Sequence, residues 1–171
     1  MPTKNILTSA CSRVRVLFLL MALLFILPHS LQAQSKYVKK HRHLADSLSV
    51  IYEVPSSVIL GVAIVESGGG NSRNAKLLNN HFGIVGKNNL LKTKGIKSRY
   101  KQYSSVADSY EDFCQLLSRR KFYPTLKGNT DYRLWVDAIS KTGYSEVPAE
   151  WKKRISATIR KNKLAPVHHS K

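Results

Sequence analysis

From Ser56 to Ser67 the chain reads SSVILGVAIVES, an apolar helix that stops at Gly68-Gly69-Gly70 and carries its one acid, Glu66, in the last turn. Val54-Pro55 fixes where this helix begins, because a residue before proline is driven out of the helical region. Ser56 and Ser57 suit a helix start, and the glycines suit its end. Counting back from Glu66, Val62 lies four residues earlier and Ile59 seven, so the carboxyl shares a face with apolar core residues. The last turn is also the negative end of the helix macrodipole, which disfavours a further negative charge. Burial and dipole act in the same direction: both favour the protonated carboxyl and raise its pKa. A carboxylic acid still protonated near neutrality can protonate the leaving oxygen of a glycosidic bond. The alternative is an ordinary polar residue partly exposed beside glycines, and position alone leaves the two open.

The rest of the chain supplies a helical frame. With 171 residues, 43% of them apolar, it is long enough for one domain with a real core. Tyr37, Val38, His41, Leu44, Ala45, Leu48, Ile51 and Tyr52 fall on one helical stripe ahead of Val54-Pro55. Residues 87–102 are basic and turn-rich, and predict a small hairpin or loop excursion. Ser104 with Asp108 marks a helix start before VADSYEDFCQLLSRR. Helical stretches follow near Asp131 to Lys141 and Glu150 to Lys163. Two cysteines are too few for a disulfide framework or a Cys-based zinc site, and neither metal nor cofactor is expected. Cys114, among Phe113, Leu116 and Leu117, reads as a buried hydrophobe and not as a reactive thiol.

The amino-terminal residues stand apart from this frame. Lys4, Arg13 and Arg15 precede twelve consecutive apolar residues, Val16 to Leu27, and a polar stretch ending at Ala33. That is the layout of a secretory signal peptide over residues 1–33, leaving 34–171 as the single domain. The run is shorter than the roughly 20 apolar residues a spanning helix needs, so no stable membrane insertion is expected after cleavage. The protein is expected to be exported, to the periplasm or the cell exterior, and associated with the envelope. The formal charge of +18 admits nucleic acid as a partner, but export and the lack of a recognition motif argue against it. An exported cationic surface suits anionic envelope polymers.

The run AIVESGGGNSRNAKLLNNHFGIVG, Ala63 to Gly86, resembles the signature of bacterial peptidoglycan glucosaminidases of the flagellar and autolysin type. In that pattern an apolar helix ends in Glu-Ser-Gly-x-Gly-x-Ser, and a short helix leads to Asn-Asn-x-Phe-Gly-Ile. Glu66, Ser67, Gly68, Gly70 and Ser72 match its first part, and Asn79, Asn80, Phe82, Gly83 and Ile84 its second. RYKQYSSVADSYEDFCQLL is similar to a downstream segment of the family, and AISKTGYSEVPAEWKKRI to its Gly-Tyr element and terminal helix. The resemblance implies an α+β, mainly α, lysozyme-like domain with a short extended β-hairpin lobe beside a cleft. It implies an endo-β-N-acetylglucosaminidase that cleaves the β-1,4 bond between N-acetylglucosamine and N-acetylmuramic acid in peptidoglycan glycan strands. Glu66 is then the general acid, with Tyr144 in support. Asn80, Phe82, Gly83 and Tyr103 are the candidate substrate-binding residues.

Two departures bear on the chemistry. Many relatives carry a second acid on the extended lobe, whereas residues 67–107 here hold no Asp or Glu. Relatives also have Asp-Pro where this chain has Val147-Pro148. Asp108 is the nearest downstream acid and the candidate partner of Glu66, though a first-turn acid favoured by its helix dipole is the better account of it. Without a paired carboxylate, neutral groups such as Tyr103 or Tyr144 could place a water, the substrate's N-acetyl group could assist, or the sugar's 6-hydroxyl could attack as in lytic transglycosylases. A catalytically silent wall-binding protein on the same fold is the remaining alternative. The glycine run lacks the strand and spacing of a nucleotide loop and is better suited to ending the helix and admitting a sugar chain to the backbone.

Overall fold

The structure, a computed structural model, describes residues 36–165; the signal-peptide segment lies outside the described residues. Helix α2, Ser56–Ser67, is its centre, and Val58 through Ile64 are buried on every side of it. A helix apolar all round has no solvent face to offer, so other helices must enclose it. Its most extensive partner is α8, Pro148–Lys161. A methyl group added at Gly61 would sit 2.6 Å from Ile159 Cγ1, so glycine lets the two helices close up there. Trp151, Ile155 and Ile159 form the buried stripe of α8. Ile159 meets Gly61 and Trp151 meets Glu66, so the two helices run antiparallel.

Around this pair lie α1, described over 36–52, α5, Val106–Ser118, and α7, Tyr132–Ser140. The stripe of α1 is buried at Tyr37, His41, Ala45 and Leu48 and packs on the core again at Tyr52, but Ile51 is 68% exposed and lies outside the core. Glu53, at φ 48°, turns the chain into Pro55. That turn is held from outside by the Tyr123 hydroxyl, which donates to the Tyr52 carbonyl at 2.6 Å, and by a 3.0 Å Lys127–Glu53 ion pair. Helix α5 starts one residue later than Ser104 and Asp108 suggested. Ser105 is its N-cap: its hydroxyl accepts from the Asp108 amide at 3.1 Å, and the Asp108 carboxylate accepts from the Ser105 amide at 2.9 Å. Cys114 lies in the core, where burial pushes its thiol up to about 12. No described helix is long and apolar enough to cross a membrane.

The expected β-hairpin lobe is not what residues 85–101 form. Among the described residues the only pairing there is one antiparallel bridge, Val85 to Tyr100. The side chain of Asn88 donates to the Ser98 and Tyr100 carbonyls, both at 2.9 Å, occupying acceptors that a second strand would use. The tip folds instead into a five-residue helix, α4, Leu90–Lys94, closed by Gly95 at φ 67°. The lobe is a tied loop carrying one turn of helix. Two further short helices lie among the described residues, α3, Arg73–Leu78, and α6, Tyr123–Leu126.

A buried polar cluster joins α1, the segment after α3, and α5. The Tyr37 hydroxyl bonds His81 Nδ1 and, at 2.7 Å, the Tyr110 hydroxyl, while the His41 ring lies against all three. Burial, then the His41 and Lys40 charges, push His81 down to about 4; burial, then Lys40, lower His41. Folded values below the unfolded 6.5 mean that the folded state binds fewer protons. The stability they contribute is complete above about pH 6.5 and is lost as pH falls toward about 4. The melting temperature should therefore fall between about pH 7 and about pH 4.5, and fall less in a His41→Phe, His81→Gln variant. Glu66, whose raised pKa works in the opposite sense, is common to both proteins, so thermal melts at the two pH values isolate the histidines.

Candidate active site

Glu66 lies one residue before the end of α2, which stops after Ser67 because Gly68, Gly69 and Gly70 take left-handed conformations, φ 57°, 64° and 81°. Ser67 secures the turn: its hydroxyl donates to the Ala63 carbonyl at 2.6 Å and accepts from the Gly70 amide at 2.8 Å. The glycine run is not part of the cleft lining around Glu66, and its freedom serves the turn. The glycines that do border it are Gly83 and Gly143.

The Glu66 side chain is half-buried in the wall of a cleft of about 680 Å³. Trp151 Nε1 donates to its Oε1 at 2.6 Å. Its Oε2 faces Gly83, where a Cβ would stand 3.6 Å away; with φ 68° and no side chain, Gly83 leaves that oxygen open. Burial raises the Glu66 pKa, and the Trp151 hydrogen bond and the Arg154 charge only partly oppose it. Because Oε1 accepts from Trp151, Oε2 is the oxygen left to carry a proton. Trp151 is buried and serves as the hydrogen-bond partner of Glu66. Its i, i+4, i+8 stripe with Ile155 and Ile159 was the available signal.

The Asn-Asn-x-Phe-Gly-Ile segment builds the cleft from behind. Asn80 is expected above to bind substrate, but it is 1% exposed and fully engaged with backbone. Its Nδ2 donates to the Ile84 and Lys101 carbonyls, each at 2.8 Å, and its Oδ1 accepts from the Phe82 and Ile84 amides at 3.3 and 3.2 Å. It shapes the loop that presents Gly83 and ties it to the returning arm of the lobe. Phe82 borders the cleft but its ring is buried, stacked 4.3 Å from Phe113, so it supports the site and does not offer a sugar platform. Tyr144 lines the cleft and donates its hydroxyl hydrogen bond to the Phe82 carbonyl. Burial, then the nearby Glu66 charge, keep its phenol protonated.

Tyr103 is not brought to the cleft. It is buried behind the lobe, donating to Asp112 Oδ2 at 2.8 Å. Asp112 also accepts from Lys101 at 2.7 Å; although burial acts to raise its pKa, these bonds and the Lys101 and Arg119 charges hold it below the usual range. The pair anchors the lobe to α5. Asp108 is exposed in the capping box of α5 and does not line the cleft. Its first-turn position is accounted for by the helix it caps. Two charged cleft residues were given no role at the site from sequence: Arg99 from the lobe, and Glu146 from the segment before α8.

A helical domain with one half-buried carboxyl of raised pKa in the last turn of its central helix, in the wall of an open cleft, has the makings of a glycosidase. The same fold occurs in the catalytic domain of the autolysin Auto from Listeria monocytogenes, at TM-score 0.63 and 22% identity, covering 77% of this chain and 85% of that one. It occurs also in the glycoside hydrolase domain of FlgJ from Salmonella typhimurium, at TM-score 0.60 and 22% identity, covering 76% and 88%. Residues 42–164 match the glucosaminidase family model, described as mannosyl-glycoprotein endo-beta-N-acetylglucosaminidase, and the chain belongs to that family of glycosidases. It is 29% identical over 162 residues to the exo-glucosaminidase LytG of Bacillus subtilis (strain 168). The aligned region is 80% of this chain and 57% of LytG, so the chain spans little more than half the length of that curated relative.

Proposed function

We propose that this chain is exported through a signal peptide at residues 1–33 and hydrolyses the β-1,4 bond following N-acetylglucosamine in peptidoglycan, with Glu66 as general acid. The observation that carries the reading is the Glu66 carboxyl itself: half-buried, raised in pKa, fixed by Trp151 through one oxygen and open beside Gly83 through the other. The proton on the open oxygen passes to the leaving glycosidic oxygen as the bond to the anomeric carbon breaks. Tyr144 and Asn80 act as positioning residues, because both hold the Phe82-Gly83 backbone against Glu66. Digestion of purified sacculi, with mass spectrometry of the new chain ends, tests this. New reducing N-acetylglucosamine supports it. Anhydro-muramic ends would instead indicate a lytic transglycosylase, and wall binding without soluble fragments a silent binding protein.

The Trp151 contact gives a sharper check on the acid. Its hydrogen bond favours the ionised carboxylate, so Trp151→Phe should raise the Glu66 pKa further. The alkaline limb of the pH–rate profile should then move to higher pH. A limb that stays or moves down would contradict Glu66 as the group it reports.

The lobe carries Lys87, Lys92, Lys94, Lys97, Arg99 and Lys101 with no acid. If it meets anionic wall polymer, binding to sacculi should weaken as salt rises, since exposed charges are screened beyond about 8–10 Å near physiological ionic strength. Replacing Lys92, Lys94 and Lys97 by Gln should flatten that dependence in a pelleting assay. Unchanged binding with an unchanged salt response would place the contact elsewhere.

A further inference from the structure

Hydrolysis through a single displacement needs a group to take the proton of the attacking water, and glycosidases use a second carboxylate for this. Residues 67–107, which include the whole lobe, contain none, and Asp108 and Asp112 are committed to the α5 cap and to Lys101 and Tyr103. One other acid lines the cleft with Glu66. Glu146 belongs to the segment between α7 and α8, a different element from the one that carries Glu66. It is exposed to solvent, and no ion pair engages it among the described residues. Solvent exposure and freedom from a cation are what a base needs to meet a water.

The backbone around Glu146 is held on both sides. The Val147 amide donates to the Ser145 hydroxyl at 3.2 Å, closing a tight turn across Glu146. Before it, Tyr144 is fixed by its bond to the Phe82 carbonyl; after it, the Trp151 amide donates to the Val147 carbonyl at 3.0 Å. Trp151 also holds Glu66, so one short segment sets the positions of both carboxylates. The lobe contributes Arg99 and Tyr100 to the cleft, and so brings a positive charge and no acid.

We propose that Glu146 is the catalytic base of this cleft, an inference that rests on the glycoside-hydrolase reading above. Water oxygen bonds to the anomeric carbon as the glycosidic carbon–oxygen bond breaks. Glu146 takes the water proton, the leaving oxygen takes the Glu66 proton, and exchange with solvent restores both groups. The charged and titratable groups lining the cleft with it are Glu66, Arg99, Tyr100 and Tyr144.

The test uses the full chain on purified sacculi, measuring maximal rate, half-saturation, pH profile and thermal melting for wild type, Glu146→Gln and Asp108→Asn. Glu146→Gln should melt as wild type does and lose about 10²-fold in maximal rate, with half-saturation little changed. The acidic limb of its pH profile should flatten, while the alkaline limb remains. Azide, which attacks without giving up a proton, should restore bond cleavage in this variant and yield a glycosyl azide. Asp108→Asn should keep the wild-type rate. A Glu146→Gln protein with the wild-type rate and acidic limb overturns the assignment and leaves the glycosidase reading standing. A rate loss without limb change or azide rescue overturns it too. Wild type that releases no fragments overturns the glycosidase reading and Glu146 with it.

Discussion

Glu66→Gln should fold normally and turn over at least ~10²-fold more slowly than wild type, the lower range for a lost general acid. The amide keeps the shape of the side chain and can still accept the Trp151 hydrogen bond, so the loss isolates the proton. The stability effect has a defined sign. A carboxyl whose folded pKa lies above its unfolded value is favoured at low pH and becomes unfavourable as pH rises through the folded value. At neutral pH the Gln variant should therefore melt no lower than wild type. In wild type, the alkaline limb of the pH–rate profile should lie above the ordinary Glu value for the same reason. A well-folded Glu66→Gln enzyme with near-wild-type turnover on sacculi would remove Glu66 from the mechanism.

Asn80→Ala should damage the protein in a different way. It deletes four hydrogen bonds to backbone in a buried place, leaving two carbonyls and two amides without that partner. Unmet buried groups cost enough that a loss of at least about 2 kcal/mol is expected. That corresponds to a melting temperature lower by on the order of 5–10 °C. Turnover should fall with it, because Gly83 and the Phe82 carbonyl lose the template that sets them beside Glu66. Calorimetry and sacculus digestion on the same preparation separate the two possible roles. A variant with unchanged melting and only a raised half-saturation would restore Asn80 to the substrate-binding set.

Much of the frame was legible in the order of residues. The breaks at Val54-Pro55 and Gly68-Gly69-Gly70 bound α2 correctly, since proline and glycine act on the backbone wherever they occur. The stripe of α1 was readable except at Ile51, where helical spacing allows burial but no neighbour provides it. The lobe was misjudged because alternation and turn residues do not show that Asn88 would take the carbonyls of the opposite arm. A side chain that competes with a ladder is visible only once both arms are in place.

The active site divides along the same line. The half-burial of Glu66 and the upward direction of its pKa were readable from sequence, because the face it occupies is set within its own helix, by residues four and seven positions away. The roles of Asn80, Tyr103 and Tyr144 were not, because each depends on a partner distant in the chain: Lys101, Asp112 and Phe82. A motif states which residues stand together, but not whether a polar side chain in it is spent on backbone or left for a ligand. Trp151 lies 85 positions from Glu66 and Glu146 lies 80. Local periodicity reaches only one or two helical turns. The antiparallel packing of α8 on α2 brings Trp151 to the Glu66 carboxyl, and the turn before α8 puts Glu146 in the same cleft. Sequence alone determined the helix, its end and the acid upon it. Only tertiary structure decided what holds that acid and which second carboxyl shares its cleft, because those depend on contacts between segments that no spacing along the chain encodes.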